Sequence, residues 1–98
     1  MRRAARTDDN QTEIVKGLRK HGVKVQSTAA IGAGFPDLLC GYEAVLALLE
    51  VKDGKKAPSA QKLTPDQTKW HAEWEGMPVF TVRSLAEALA VFGIKEQL

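Results

Sequence analysis

The stretch of residues 35–54, FPDLLCGYEAVLALLEVKDG, limits the possible folds of this chain more than any other. Two short apolar runs, 38–40 and 45–49, lie on either side of the connection Gly41-Tyr42-Glu43-Ala44. Glycine and polar residues between two such runs are typical of a β-hairpin. Residues 45–49 are all apolar, so we expect both faces of the second strand to be buried in the centre of a sheet.

The charged residues at the end of this second strand need a special explanation. Glu50 and Lys52 are two positions apart and share one face of the strand, whereas Val51 points to the other face. Leu48 precedes them on their own face, so the charges continue an apolar surface. Buried charges are costly unless they are paired or bound to a metal ion.

The hairpin brings a further carboxylate towards this face. If Tyr42 and Glu43 form the turn, Asp37 lies opposite Leu48, and Glu50 is its diagonal neighbour on the same face. Diagonal neighbours are roughly 7–8 Å apart at Cα, a gap that two carboxylates can close onto one hard cation with oxygen ligands. A shift of one residue would move Asp37 to the opposite face, so the prediction depends on the turn.

These residues resemble a known nuclease signature. Asp37, Glu50 and Lys52 have the order of the PD-(D/E)xK motif, written here as Pro36-Asp37 and Glu50-Val51-Lys52. The wider context, GFPDLL at 34–39, LEVK at 49–52 and LTPDQ at 63–67 followed by Trp70-His71, looks like the small stand-alone VRR-NUC proteins of phages. The resemblance covers roughly residues 9–90, most of the chain.

The resemblance implies a restriction-endonuclease-like fold and cleavage of DNA, often of branched or four-way (Holliday) junctions, by a homodimer from a phage or bacterium. It also implies that an acidic residue of the first helix joins the metal site; Glu13 is the candidate, and Asp9 is the alternative. Gln67 is expected beside the active site. Together with the chemistry of the residues, this gives Mg²⁺ or Mn²⁺ held by Asp37, Glu50, Glu13 and the carbonyl of Val51, with Asp37, Glu50, Lys52 and Gln67 as catalytic residues.

The remaining patterns predict the order α-β-β-β-α-β-α. A first helix is expected over 8–21, capped by Thr7 or Asp8, and a first strand over 23–28. Two S/T-x-x-E/Q capping boxes, Thr64 with Gln67 and Ser84 with Glu87, begin the second and third helices on either side of a strand at 79–82. The strand–helix–strand passage requires parallel pairing, so the fold class is α/β, a mixed sheet with helices on its faces.

Several residues near the motif have two interpretations. Gln67 is expected both in its capping box and at the active site. Trp70 and Trp74 have the spacing of a ridge that packs into the core, and His71 is a candidate general base, although a structural role is the usual one. The glycine- and alanine-rich segment 29–34 is predicted to be a loop that leads into the site.

Composition excludes some classes of protein. The 98 residues form one domain over 1–98 with a net charge of +2, and the cations concentrate at Arg2, Arg3 and Arg6 and around the motif. No apolar run approaches the ~20 residues of a membrane span, and the arginine-containing start lacks the apolar segment of a secretory signal. The single Cys40 cannot form an internal disulfide, as expected in the cytoplasm. The cysteine and histidines lack the spacing of a zinc site.

The sequence therefore predicts a metal-dependent DNA endonuclease with specificity for DNA structure. Two other classes stay open. One is a nucleic-acid-binding module of the same fold that does not cut, against which all three core catalytic positions are filled. The other is a sequence-specific restriction-type endonuclease, for which so short a chain leaves little room for a base-reading element.

Overall fold

The computed structural model describes residues 9–96, a small α/β domain with three helices and four strands. Two short 3-10 helices, Ala29–Ile31 and Pro58–Gln61, occupy segments predicted to be loops. The predicted cap at Thr7 or Asp8 and the arginines at 2, 3 and 6 lie outside the described residues. The predicted order of elements is confirmed: α1 (Asp9–Lys20), β1 (Lys24–Ser27), β2 (Leu38–Tyr42), β3 (Val45–Val51), α2 (Pro65–Glu73), β4 (Val79–Val82) and α3 (Leu85–Val91).

The strands form one mixed sheet in the order β1-β2-β3-β4. The first two pairings are antiparallel, and β3 pairs with β4 in parallel. The parallel pairing follows from the crossover through α2, which returns the chain to the starting end of the sheet. No helix within residues 9–96 is long and apolar enough to span a membrane.

The hairpin between β2 and β3 differs from the prediction in its turn. Tyr42 pairs with Val45, so the turn residues are Glu43 and Ala44, with φ angles of 46° and 70°. Two successive residues with positive φ match the twist of the flanking strands. The predicted turn at Tyr42 and Glu43 was therefore wrong, and the register is displaced by two residues. A displacement of two keeps every side chain on its face, so Asp37 stays on the face of Glu50.

One face of the sheet carries the hydrophobic core. Leu38, Cys40, Ala47, Leu49 and Val51 are buried there against α1 and α3. Gly17 of α1 permits the close packing of these helices, because a Cβ at this position would overlap the Leu85 side chain of α3. The helices contribute the other large buried side chains of this core: Ile14, Leu18, Leu89 and Phe92.

Both helical capping boxes are present, one of them in an altered form. At α2, the Thr64 side chain accepts from the N–H of Gln67, and the Gln67 side chain accepts from the N–H of Thr64, as predicted. At α3, Ser84 Oγ accepts from the N–H of Glu87 at 3.1 Å. The Glu87 carboxylate, however, accepts from the N–H of Arg83 at 2.8 Å.

The other face of the sheet is only partly covered. Val45 and Leu46 are exposed, so the prediction of a strand buried on both faces is wrong for the start of β3. The predicted packing of Trp70 and Trp74 into the core is also wrong, because α2 contains no buried residue. The two indoles instead stack on each other with centroids 5.0 Å apart, and Phe35 contacts Trp70 edge-on at 5.2 Å.

Candidate active site

Asp37, the residue before β2, is held by contacts from Thr28, the residue after β1. The backbone N–H of Thr28 donates to the Asp37 carbonyl at 2.8 Å, and the Thr28 hydroxyl donates to the Pro36 carbonyl at 2.6 Å. Pro36 is fully buried. The backbone of the Pro-Asp pair is therefore fixed before its carboxylate takes part in any chemistry.

The Asp37 carboxylate replaces part of the strand ladder. Its Oδ2 accepts from the N–H of Val51 at 2.8 Å. Continuing the β2–β3 register places Val51 opposite Pro36, and proline has no N–H to donate to the Val51 carbonyl. The proline thus creates a point in the ladder where a carboxylate and a backbone carbonyl lie together.

Glu50 is the most deeply buried charged residue of the site. Its side chain is 1% exposed, and its Oε2 accepts from Gln67 Nε2 at 2.9 Å. Its Oε1 is buried, and no donor in the described part of the chain reaches it. Burial raises the pKa of Glu50 to about 8, together with the charge of Asp37 and a hydrogen bond from the protonated Glu50 to the Asp37 carboxylate, and against the opposing charge of Lys52.

Lys52 lies one position further along the same face. Its Nζ donates to Gln67 Oε1 at 2.9 Å and is 3.8 Å from Glu50 Oε2. Its backbone is held on both sides, since its N–H donates to Val82 at 2.9 Å and its carbonyl accepts from Asn10 Nδ2 at 2.7 Å. The ammonium group therefore has a defined position beside the two carboxylates.

Gln67 joins the side chains of Glu50 and Lys52. Its amide nitrogen donates to Glu50, and its amide oxygen accepts from Lys52 and from the backbone N–H of Thr64 at 2.9 Å. The predicted capping box is thus confirmed, and the same amide contacts the motif residues; its role in catalysis stays a prediction. The start of α2 is fixed in turn by Gly34, where a Cβ would overlap the Asp66 carbonyl.

His71 lies one turn further along α2. Burial and the charge of Lys52 lower the pKa of His71, which favours the neutral imidazole. Its Nε2 is buried and has no partner in the range 9–96. A role as general base stays a prediction.

Glu13 is not brought into this group. It is exposed on α1 and lines a separate depression together with Asn10 and Asp53. Within residues 9–96, no three His, Cys, Asp or Glu side chains gather in a way that could hold a metal ion. The side chain of Asp9 lies outside the described part, so the choice between Glu13 and Asp9 stays a prediction.

No protein-family model matches this chain, and it has no match among curated proteins or solved structures. The arrangement of the site residues therefore carries the functional argument.

The site nevertheless suits a small divalent cation. It offers three hard oxygen ligands of the kind that Mg²⁺ and Mn²⁺ bind. They are Glu50 Oε1, which no donor reaches in the described part of the chain, the Asp37 carboxylate and the Val51 carbonyl. Mg²⁺ is commonly held by one or two carboxylates and keeps several waters, so a third carboxylate is not required. The Glu50 proton must leave when a cation binds, since the ligand is the carboxylate.

Two supporting residues were not found from the sequence. Thr28 fixes Pro36 and Asp37, and Asn10 fixes the Lys52 carbonyl. Thr28 had no distinguishing signal at the end of a β-prone segment. Asn10 lies between the two acidic candidates of α1, but an asparagine near a helix start is usually explained by capping.

Proposed function

We propose that this protein is a Mg²⁺- or Mn²⁺-dependent DNA endonuclease of the VRR-NUC type. The observation that carries the proposal is the group Asp37, Glu50 and Lys52, with Gln67 bonded to both Glu50 and Lys52. A buried carboxylate with an unpartnered oxygen is unfavourable for stability. Its presence at the end of a core strand is accounted for by a bound cation and a catalytic task.

Asp37, Glu50 and the Val51 carbonyl would hold the ion. When bound, it supplies Lewis acidity at the phosphoryl oxygens and lowers the pKa of a coordinated water. Asp37 is fixed for this purpose by the Val51 N–H, and Glu50 is oriented by the Gln67 amide. Both ligands are thus positioned before the cation arrives, which reduces the reorganisation needed on binding.

Lys52 acts on the phosphate. Its side chain is 12% exposed, so its charge lies in a region of low dielectric constant where it has a strong effect. Aimed at the scissile phosphate, it stabilises the negative charge that develops in the transition state. Gln67 holds Lys52 at 2.9 Å and keeps the ammonium from collapsing fully onto Glu50, which is 3.8 Å away.

The proposed substrate is branched DNA, and the proposed enzyme is a homodimer. A two-fold dimer gives two active sites at a fixed separation, as coordinated cleavage of two strands requires. The partly covered sheet face supports this assembly, because exposed apolar side chains lie on it or border it: Leu46 (65% exposed) on β3, and Met77 (57%) and Trp74 (45%) in the segment after α2. Apolar residues gathered in this way are typical of protein–protein contacts.

The test is a cleavage panel. The protein is incubated with plasmid, hairpin and four-way junction DNA in Mg²⁺, Mn²⁺ or EDTA, beside an Asp37→Asn variant and an exposed-charge control, Glu75→Gln. We expect cleavage of the junction in either metal, none in EDTA, and loss of cleavage only in Asp37→Asn. Binding without cleavage in any metal would instead support a non-catalytic DNA-binding module.

The same panel and a light-scattering measurement test substrate and assembly. A uniform set of fragments from linear plasmid would favour a sequence-specific endonuclease. A monomer at micromolar concentration with no preference for junctions would contradict the branched-DNA proposal and leave the metal-dependent nuclease proposal standing.

A further inference from the structure

A groove lies one strand away from Glu50, next to the proposed active site. It has a volume of about 640 Å³, and its lining includes Gln61, Lys62, Thr68, Thr81 and Arg83. Thr81 of β4 pairs with Glu50 of β3, so the two residues lie on the same face of neighbouring strands, roughly 4.8 Å apart. Thr68 follows Gln67 directly in α2. The groove therefore lies beside the proposed catalytic site.

The charge of this groove is one-sided. Lys62 and Arg83 line it, and no acidic residue of the described range does. Arg83 also borders the neighbouring depression that contains Glu13, Asp53 and Glu87. No carboxylate within residues 9–96 forms an ion pair with its guanidinium, and the only such pair found there is Lys52 with Glu50.

Arg83 is held in place at both its backbone and its side chain. Its N–H donates to Glu87 Oε1 at 2.8 Å, and its carbonyl accepts from the N–H of Gly54 at 3.3 Å. Its Nε donates to Gln61 Oε1 at 3.0 Å, and Gln61 Nε2 is anchored on the Lys56 carbonyl at 2.6 Å. Gln61 thus occupies one edge of the guanidinium and leaves the two terminal amino groups available.

We propose that Arg83, oriented by Gln61 and assisted by Lys62, binds a DNA phosphate. This phosphate belongs to the cleaved strand and neighbours the scissile phosphate. This inference rests on the proposed nuclease function and adds the path of the strand: from Glu50 across β4 into the groove. Two parallel N–H donors of a planar guanidinium match two oxygens of a phosphate. Because Gln61 already restricts the side chain, less conformational entropy is lost on binding.

The experiment measures binding without cleavage. Anisotropy of a fluorescein-labelled DNA duplex is recorded in EDTA over a range of KCl concentrations for the wild type, Arg83→Ala, Arg83→Lys, Gln61→Ala and Lys16→Ala. Lys16, exposed on α1, is the matched control for loss of one positive charge. Thermal unfolding of each variant establishes that it is folded.

We expect Arg83→Ala to weaken binding about tenfold and to reduce the slope of log affinity against log salt by about 1, as loss of one phosphate contact predicts. Arg83→Lys should keep the slope but recover only part of the affinity. Gln61→Ala should weaken binding about threefold at unchanged slope, because the charge remains and its orientation is lost. Lys16→Ala should stay within about twofold of the wild type.

Each other outcome is decisive. If Arg83→Ala matches Lys16→Ala in affinity and slope, the groove does not bind the strand, and the nuclease proposal is unaffected. If Gln61→Ala matches the wild type, Arg83 acts without orientation. A wild type that binds no DNA would overturn both this inference and the proposed function.

Discussion

The two faces of the sheet are formed by the same strands but differ in composition and in how far they are covered. On the closed face, β3 contributes Ala47, Leu49 and Val51 to a core covered by α1 and α3. On the open face, the same strand presents Leu46, Leu48 and Glu50, and the coverage is incomplete. Adjacent residues of one strand thus differ in whether burial stabilises the fold or holds a reactive group.

The difference shows where this chain gives up stability. Leu49 is fully buried among apolar side chains, a favourable arrangement, whereas Glu50 is just as buried but carries an ionisable group with an unpartnered oxygen. Such a group destabilises the fold whenever it is charged and unpaired. Unfavourable burial that the fold retains is a common property of functional sites.

The largest effect on cleavage should come from replacing the Glu50 carboxylate on the open face by a neutral group. We expect Glu50→Gln to reduce metal-dependent cleavage by at least about 1,000-fold, because a neutral amide is a poor ligand for a hard cation. Single-turnover cleavage of junction DNA measures this, with Glu75→Gln as the exposed control. Cleavage within tenfold of the wild type would remove Glu50 from the metal site.

A substitution on the closed face should lower the stability of the protein and leave its cleavage rate nearly unchanged. Leu49→Ala leaves a cavity in the core and should lower the free energy of unfolding by about 3 kcal/mol. The variant should cleave at nearly the wild-type rate at temperatures where it stays folded, because its side chain points away from the site. Urea unfolding and cleavage of the same sample provide the comparison, and equal losses of stability and intrinsic rate would show that the faces are not separable.

The pH dependence of stability should sharpen the contrast. In the folded protein the pKa of Glu50 is raised to about 8, whereas the ordinary pKa of a glutamate is 4.5. The folded state therefore binds more protons between these values, and the free energy of unfolding falls as pH rises through this window. In EDTA at pH 8.5, we expect Glu50→Gln to be more stable than the wild type by up to about 5 kcal/mol, as a pKa raised from 4.5 to about 8 implies.

Chemical denaturation at pH 4.5, 6.5 and 8.5 measures this dependence. The advantage of Glu50→Gln should shrink towards pH 4.5, where Glu50 is protonated in the folded state and half protonated in the unfolded state. Added Mg²⁺ should narrow the gap at high pH by stabilising the wild type alone. Parallel pH profiles for the two proteins in EDTA would show that Glu50 titrates normally.

The smallest effect should come from the residue that links the open face to its helix. Gln67→Ala should cost about 1 kcal/mol of stability through the lost capping interaction and slow cleavage about tenfold. Gln67→Glu keeps an acceptor for the Thr64 N–H but loses the donor to Glu50. We expect it to retain the stability of α2 and still cleave about tenfold more slowly than the wild type, and full activity would contradict the proposed role of the amide.

The sequence predicted the closed face well because that face follows simple periodicity. The buried residues of the helices recur at helical spacing: Ile14 and Leu18 in α1, and Ala88, Leu89 and the following Phe92 at α3. The order of elements followed from the same patterns, and the capping box at Thr64 located the start of α2. Local rules were sufficient wherever packing and local conformation agree.

The open face was harder to predict because its coverage depends on tertiary placement. Trp70 and Trp74 have the spacing of core residues, but α2 lies where they meet each other and Phe35. The turn at Glu43 and Ala44 lacks the glycine that usually marks positive φ, so the sequence pointed one residue too early. The shared face of Asp37 and Glu50 survived this error only because the displacement was even.

The shared Gln67 amide has a consequence for local unfolding. Opening the first turn of α2, a helix of 9 residues, breaks the bonds that orient Glu50 and Lys52 at the same moment. The fraction of molecules with an intact site is then set by the opening equilibrium of this one turn. The free energy of that opening is far smaller than the free energy of global unfolding. Amide hydrogen exchange at Gln67 and Thr68 should therefore follow turnover as temperature rises, and both should change before the core melts.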